Sequence, residues 1–303
     1  MSKGTDGAGA RLWSYDEAFC RHRGLIDAAE QRVLRERHVA IAGLGGIGGI
    51  ELLTLARLGI GKFTIADPDI FDASNLNRQA GARISTLGRP KSEVLSEMVR
   101  DINPDVEVRD IGGPVTVDGA AKFLDGADLF IDAIDAFEID VHRAAHREAA
   151  RAGIYSLIAG PVGFSATWIV FSPRGMSFDR YFDFKDDVDR IDQLAAFAVG
   201  MTPGCMHLPY TDLDHFDIDD HSGPSSGAAC NLTAGVVGVQ TVKLLLRRGR
   251  VPVAPCFNQF DAFVGRLNRG TLRLGNRGPL QRIKRLWLSS YLRRRRRYAT
   301  RSQ

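Results

Sequence analysis

Residues 38–79 constrain this chain more than any other stretch. They read HVAIAGLGGIGGIELLTLARLGIGKFTIADPDIFDASNLNRQ. A run of β-formers, residues 39–42, meets closely spaced glycines at Gly43, Gly45, Gly46, Gly48 and Gly49. A helical pattern follows, with Ile50, Leu53, Leu55 and Leu58 apolar, until Gly59 and Gly61 stop it. A second apolar run, residues 63–66, ends in Asp67 and Asp69. Strand, tight turn, helix, strand and acid together form the unit that binds a nucleotide at a helix N-terminus. Gly43 is expected to turn the chain sharply out of the strand. Gly45 and Gly46 clear side chains from the path of phosphate oxygens, and Gly48 lets the new helix pack close. The helix start offers unpaired N–H groups and partial positive charge to an anion. Asp67, about twenty residues past the turn, suits ribose hydroxyls.

The segment after Asp67 narrows the choice of nucleotide. It carries Ser74, Asn75, Leu76, Asn77, Arg78 and Gln79, then Gly88, Arg89, Pro90 and Lys91, then Asp132, Ala133, Ile134 and Asp135. A hydride-transferring enzyme has no use for that polar cluster, distal lysine and second acid pair. The set, in this order, resembles the ThiF/MoeB-type adenylyltransferases, bacterial relatives of the ubiquitin-activating enzymes. The resemblance runs over roughly residues 21–261. It implies an α/β fold: a Rossmann-like, mostly parallel central sheet with helices on both faces, extended by C-terminal antiparallel strands. It also implies ATP and Mg²⁺ in place of NAD. ATP would lie on the turn from Gly43 to Gly48, with its ribose on Asp67. Asn75, Arg78, Gln79 and Lys91 would grip phosphates, and Asp69 and Asp135 would hold the metal. An arginine upstream of the first strand, Arg21 or its neighbour Arg23, would reach the partner subunit's site in a homodimer. A guanidinium fork suits a triphosphate, although a solvated surface arginine reads the same way. The implied reaction is adenylation of a carboxylate, at the C-terminus of a peptide or a ubiquitin-like protein, with transfer to a sulfur or amine acceptor. Two alternatives stand beside it: the tRNA-modifying dehydratases of the same family, and a non-catalytic NAD-binding scaffold.

At 303 residues and 44% apolar composition, the chain can build a sizeable core. No run of eighteen apolar residues predicts a membrane span, and the first residues lack an apolar signal core, so a cytoplasmic location is the expectation. Cys20, Cys205, Cys230 and Cys256 are scattered. Without a Cys-x-x-Cys pair no zinc is expected, a departure from many relatives of this type. Charge is uneven. Residues 276–303 hold ten Lys or Arg and no acid, and the total is +4, so the body carries about −6.

The rest of the chain divides as follows. Residues 1–12 read as disordered. Residues 13–275 form the ATP-binding domain, with a nucleotide half to about 171, a crossover loop at 172–222, and a core helix with closing strands at 223–275. Helices are expected at 15–34 with a break near Gly24, at 91–102, 118–124, 138–152 and 228–246. Strands are expected at 106–108, 129–133, 154–159 and 167–171, with a turn at Gly160 and Pro161 and a closing hairpin around Val264 and Gly265. Helix 228–246, apolar all round, should be buried. Asp132 reads as a loop or helix cap. His142 and His146, four apart, read as surface or packing histidines, because no third metal ligand is near. Cys205, two residues from His207, is a possible acyl acceptor, with a free structural thiol as the plainer reading. The acids Asp212, Asp214, Asp217, Asp219 and Asp220, with His215 and His221, read as a solvated loop. Residues 276–303 form a basic amphipathic tail, open to nucleic acid, an anionic membrane surface or an acidic partner, or simply docked on the body.

Overall fold

The computed structural model describes residues 13–217 and 223–299, apart from the side chains of 297–299. The expected disorder of residues 1–12 and the reading of Asp219, Asp220 and His221 lie outside the described residues. Strand β1 (His38–Ala42) feeds through the glycine turn into helix α3 (Gly48–Arg57), and β2 (Lys62–Ala66) follows. Ahead of β1 stand the short helix α1 (Tyr15–Ala18), a 3-10 turn at Cys20–His22 and helix α2 (Ala28–Glu36). Asp27 caps α2 by accepting from the Ala29 and Glu30 amides. Helix α4 (Lys91–Ile102) begins at Lys91, with Pro90 at its N-cap. Then come β3 (Glu107–Asp110), α5 (Ala120–Phe123), β4 (Leu129–Asp132), α6 (Ile139–Arg151) and the hairpin β5 (Tyr155–Val162) and β6 (Ser165–Phe171).

The crossover region holds more regular structure than its acid-rich sequence suggests: α7 (Phe178–Phe182) and the twelve-residue α8 (Arg190–Met201). Asp189 caps α8, and Ile191, Leu194, Ala195 and Val199 are buried along one helical face. Helix α9 (Gly227–Leu245), strands β7 (Cys256–Asp261) and β8 (Arg266–Thr271), and helix α10 (Pro279–Ala299) complete the described residues.

Among the described residues, eight strands form one sheet in the order β3-β2-β1-β4-β5-β6-β7-β8, parallel from β3 to β5 and antiparallel from β5 to β8. The register across the hairpin corrects one expectation. Gly160 and Pro161 are not a turn but pair with Thr167 and Ala166, and the chain reverses at Gly163, whose φ is +60°. Proline keeps an extended φ, so it can sit in a strand where no donor is needed.

The largest core cluster joins β1, β2, β4 and β5 to α3, α4 and α9 through Val39, Ile41, Leu52, Leu55, Leu95, Ile131 and Val237. Burying each such side chain is worth about 1.5–3 kcal/mol. A second layer, on α5 and α6, gathers Phe123, Phe130 and Ala145. Helix α9 is long and apolar enough to cross a membrane by composition alone. It is not buried all round, however: Cys230, Thr233, Val237 and Thr241 face inward, whereas Asn231, Gly235 and Val239 are exposed.

Candidate functional site

The strand order places the ends of β1 and β4 side by side, where ligands bind in open α/β sheets. Gly43 sits at φ +87°, and a Cβ there would lie 2.1 Å from the Ala133 carbonyl oxygen. A Cβ on Gly48 would lie 1.9 Å from the Gly43 oxygen. The turn is therefore pressed onto the β4 loop, and neither glycine could gain a side chain without backbone movement. Gly45 faces open space, its nearest neighbour being Gln79 Nε2 at 4.0 Å from a built Cβ. Gly46 departs from its expected role: the space beyond it is filled by Cys230 Sγ at 3.2 Å and Arg78 Cδ at 3.6 Å.

The polar residues around this turn divide into loop-builders and groups with free capacity. Asp67 builds. Its Oδ2 accepts from the Leu44 amide at 2.6 Å and its Oδ1 from the Asp69 amide at 2.9 Å. It is buried, and burial pushes its carboxyl up against the pull of the Leu44 bond. The carboxylate that reaches solvent is Asp69, whose Oδ2 accepts from Lys91 Nζ at 2.8 Å. The ribose acid expected at Asp67 is thus engaged with backbone, and the expected metal ligand Asp69 is paired with a lysine. Asn75 is also a builder, accepting from the Asp72 amide and donating to Ser74 Oγ. Gln79 is 7% exposed, and its Oε1 has no hydrogen-bond partner among the described residues. Arg78 donates to the Ser74 carbonyl and to Asn77 Oδ1. Asn77, which sequence reasoning did not single out as a site residue, ties this loop to the start of α9. Its Nδ2 donates to the Ser225 carbonyl at 3.0 Å, and its own carbonyl accepts from the Gly227 amide.

Asp135 is exposed in the loop after β4, where Oδ1 accepts from the Phe137 amide at 2.9 Å. Behind it lies a buried network that the sequence only hinted at. Asp132 Oδ2 meets His142 Nδ1 at 2.6 Å and His146 Nε2 at 2.8 Å. His146 Nδ1 meets Ser156 Oγ at 2.7 Å, and His142 Nε2 meets the Asp135 carbonyl at 3.0 Å. These histidines are not surface residues; both are buried among Phe171, Phe178 and Phe197. Both nitrogens of His142 thus face oxygens, Asp132 Oδ2 and the Asp135 carbonyl. Burial alone would push Asp132 up, but the two imidazoles, His142 first, hold it well below the usual carboxylate range. Burial pushes His146 down. Asp132 also caps the loop, as expected, through the Ile134 amide at 3.2 Å.

Glu51, in the first turn of α3, is wholly buried, and neither carboxylate oxygen has a partner among the described residues. Burial raises its pKa to about 8, and the charge of Asp132 adds to the shift. Nothing in the sequence marked it apart from the cost of placing a glutamate on an apolar helix face.

Two further residues singled out in the sequence have surroundings of their own. Arg21 is exposed at the corner beside Gln31 and Gly59, where His22 and Tyr15 anchor the chain, at the edge opposite the carboxyl ends of the strands. Cys205 has φ +51°, and its Sγ contacts the Thr202 carbonyl rather than His207. Its neighbour Gly204 packs on Asn268 and Gln259, over the antiparallel end of the sheet. His207 is buried, its Nδ1 without a partner among the described residues, and burial pushes its imidazole down. The cysteine at the glycine turn is Cys230, a protonated thiol whose pKa burial pushes up. Beside the Asn77–Ser225 link opens a cavity of about 560 Å³, lined by Phe164, Tyr210, Asp212, His215, Ser225 and Ser226 among others. Tyr210 closes one wall, its OH donating to Asp261 Oδ2 at 2.7 Å and accepting from the Phe164 amide.

A family model described as "ThiF family" matches residues 19–281. Among curated proteins, the tRNA threonylcarbamoyladenosine dehydratase of Haemophilus influenzae is 37% identical over 115 residues, which is 38% of this chain and 44% of that protein. The sulfur carrier protein ThiS adenylyltransferase of Escherichia coli is 38% identical over 78 residues, 26% of this chain and 31% of that protein. The chain thus spans less than half the length of these curated relatives. Among solved structures, E. coli MccB with ATP superposes with a TM-score of 0.63 at 19% identity, over 81% of this chain and 66% of that one. That likeness is one of fold.

Proposed function

Because the chain belongs to the ThiF family, we propose that it is an ATP-dependent adenylyltransferase acting on a carboxylate. The observation that carries this reading is the open backbone turn at Gly45, flanked by Gln79 with an unpartnered buried oxygen and by Lys91 on Asp69. A bare run of amides at a helix start, faced by an amide and a lysine, suits a polyphosphate. On this reading the α3 N-terminus cradles phosphates, Arg78 and Lys91 offset their charge, and Asp67 keeps the turn in shape. Asp69 and Asp135 are two hard oxygen donors, which fits magnesium, since that ion takes one or two carboxylates and fills its shell with phosphate oxygens and water. Bound there, it would neutralise charge on the phosphates.

The carboxylate substrate enters the cavity between Tyr210 and Ser226. Its oxygen attacks the α-phosphorus, the bond from that phosphorus to the bridging oxygen breaks, and pyrophosphate leaves with the electron pair. The product is an acyl-adenylate, open to a sulfur or amine acceptor. Positioning and charge stabilisation supply most of the rate. In a homodimer, Arg21 would act on the partner's site, and the exposed Gly235 and Val239 face of α9 offers surface for pairing.

The test is ATP–pyrophosphate exchange dependent on an added carboxylate, with Asp135→Ala as the probe. Exchange should vanish while the thermal transition stays in place; an active variant would remove Asp135 from the site. The similarity to a tRNA threonylcarbamoyladenosine dehydratase supports a second reading, activation of a carboxyl group carried on tRNA. ATP turnover that needs tRNA, and no peptide, would select it. Thermal stabilisation by NAD but not by ATP with magnesium would point to a binding scaffold and defeat both.

A further inference from the structure

Helix α10 has two unlike faces. The inner one is fastened to the body: Lys284 Nζ donates to the Pro203 carbonyl, Arg285 to Asp183, Arg293 to Asp192, and Arg295 to the Leu213 and Asp214 carbonyls. Much of the charge that makes the tail basic is thus engaged within the molecule. The outer face carries Leu280, Ile283, Leu286 and Trp287, each 54% to 72% exposed. Their spacing puts them on one stripe across two turns. Arg294 is exposed further along the same side, and Arg282 is exposed at its flank.

We propose that this face docks on an anionic lipid surface, with the helix lying in the membrane plane. Leu280, Ile283 and Leu286 enter the acyl boundary, Trp287 sits at the headgroup level, and Arg282 and Arg294 meet lipid phosphates. Charge complementarity decides the occupant. The chain from residue 276 onward has no acid, so pairing with a second copy through this stripe would bring two cationic ends together without counter-charge. A nucleic acid would engage the cations but leave four large apolar side chains in water. An anionic bilayer satisfies both halves of the face.

The experiment is sedimentation of the full chain with vesicles of mixed phosphatidylcholine and phosphatidylglycerol, against phosphatidylcholine alone. Retention is expected on the anionic vesicles only, falling with added salt. Leu286→Ser combined with Trp287→Ser should weaken it by on the order of tenfold or more. Arg294→Gln should weaken it about fivefold. Trp287 should also shift its emission to the blue on vesicles, read as the difference from Trp287→Phe. These positions are on the surface, so unchanged thermal transitions are expected in every variant. Equal sedimentation with and without anionic vesicles overturns the proposal. So does retention by tRNA at the same salt that the serine variant leaves untouched, which would assign the face to nucleic acid. A dimer in solution that Leu286→Ser dissociates, with no vesicle retention, would assign the face to self-association. None of these outcomes depends on the adenylation reading.

Discussion

Replacing Glu51 with methionine should stabilise this protein, and more so the higher the pH. Both carboxylate oxygens of Glu51 are buried without a partner among the described residues, and its pKa rises from 4.5 to about 8, mainly through burial. A raised carboxylate pKa means that the folded chain binds a proton which the unfolded chain has already released. The stability linked to this group is therefore fully present below pH 4.5 and is lost as the pH climbs through about 8. The slope is about 1.4 kcal/mol per pH unit, so the loss approaches roughly 5 kcal/mol across the window if the site does not relax. Methionine matches the length of the side chain and brings no polar atom, so Glu51→Met removes the term. It also removes about 1–3 kcal/mol for an unpaired neutral carboxyl, which applies at every pH. Chemical unfolding of both proteins, at pH values from about 5 to about 9, reads the difference. The variant should be modestly more stable at the acid end, with the gap widening steadily toward the alkaline end. Parallel profiles for the two proteins would refute the reasoning. A neutral Glu51 also leaves the positive end of α3 to the bound anion, so ATP affinity in the wild type should weaken as the pH passes about 8. Glu51→Met should bind ATP independently of pH in that range.

Other perturbations follow from the same geometry. Lys91→Gln removes the cation beside Asp69 and should cost ATP about 1.5–3 kcal/mol of binding, read by calorimetry; unchanged affinity would place the phosphates elsewhere. His142→Leu leaves Asp132 with one imidazole and frees the Asp135 carbonyl. It should destabilise the fold by about 3–5 kcal/mol in equilibrium unfolding, and a near-neutral result would mean that His146 alone is enough to hold Asp132. Arg295→Ala removes the bonds to the carbonyls of Leu213, Asp214 and Phe216. Limited proteolysis should then cut the chain faster between α8 and α9 while ATP binding holds; an unchanged cutting rate would show that this contact does not order the loop.

The parts of this molecule that were legible in its sequence are those set by near neighbours. The glycine turn, α3, β2 and the start of α4 at Lys91 depend on propensity, period and φ, all local properties. Helix α8 was hidden because the acids around it suggested a polar loop, although Ile191, Leu194, Ala195 and Val199 already carried a helical period. The site residues were harder to read, because their roles rest on burial and on contacts across the chain. Asp67 and Asp69 are two residues apart, yet only the fold buries the first against the Leu44 amide and leaves the second to Lys91. The i, i+4 spacing of His142 and His146 was visible, but not their shared partner, which lies at the end of β4. Cys205 drew notice through His207, its neighbour in sequence, while the thiol beside the glycine turn, Cys230, arrives from the far end of the crossover.

That crossover links the cavity to the terminal helix. Tyr210, Asp212 and His215 wall the cavity. Asp183, Asp192, Asp214 and the carbonyls of Leu213 and Phe216 hold α10. One segment therefore borders the cavity on one side and anchors the terminal helix on the other. It is fastened by Arg295 on three backbone carbonyls, by Tyr291 on Asp214, and by ion pairs of which Arg293–Asp192 is partly exposed, worth about 0.2–1 kcal/mol and sensitive to salt. A surface that recruits the outer face of α10 also brings up cations and anions that compete for those same pairs. The wall of the cavity should then loosen or tighten with the state of the helix, because no rigid strand stands between them. The ordering of residues 202–216, followed by amide exchange with anionic vesicles added, reports that linkage directly. Exchange rates there that ignore vesicles retaining the protein would mean that the helix and the cavity wall are mechanically independent.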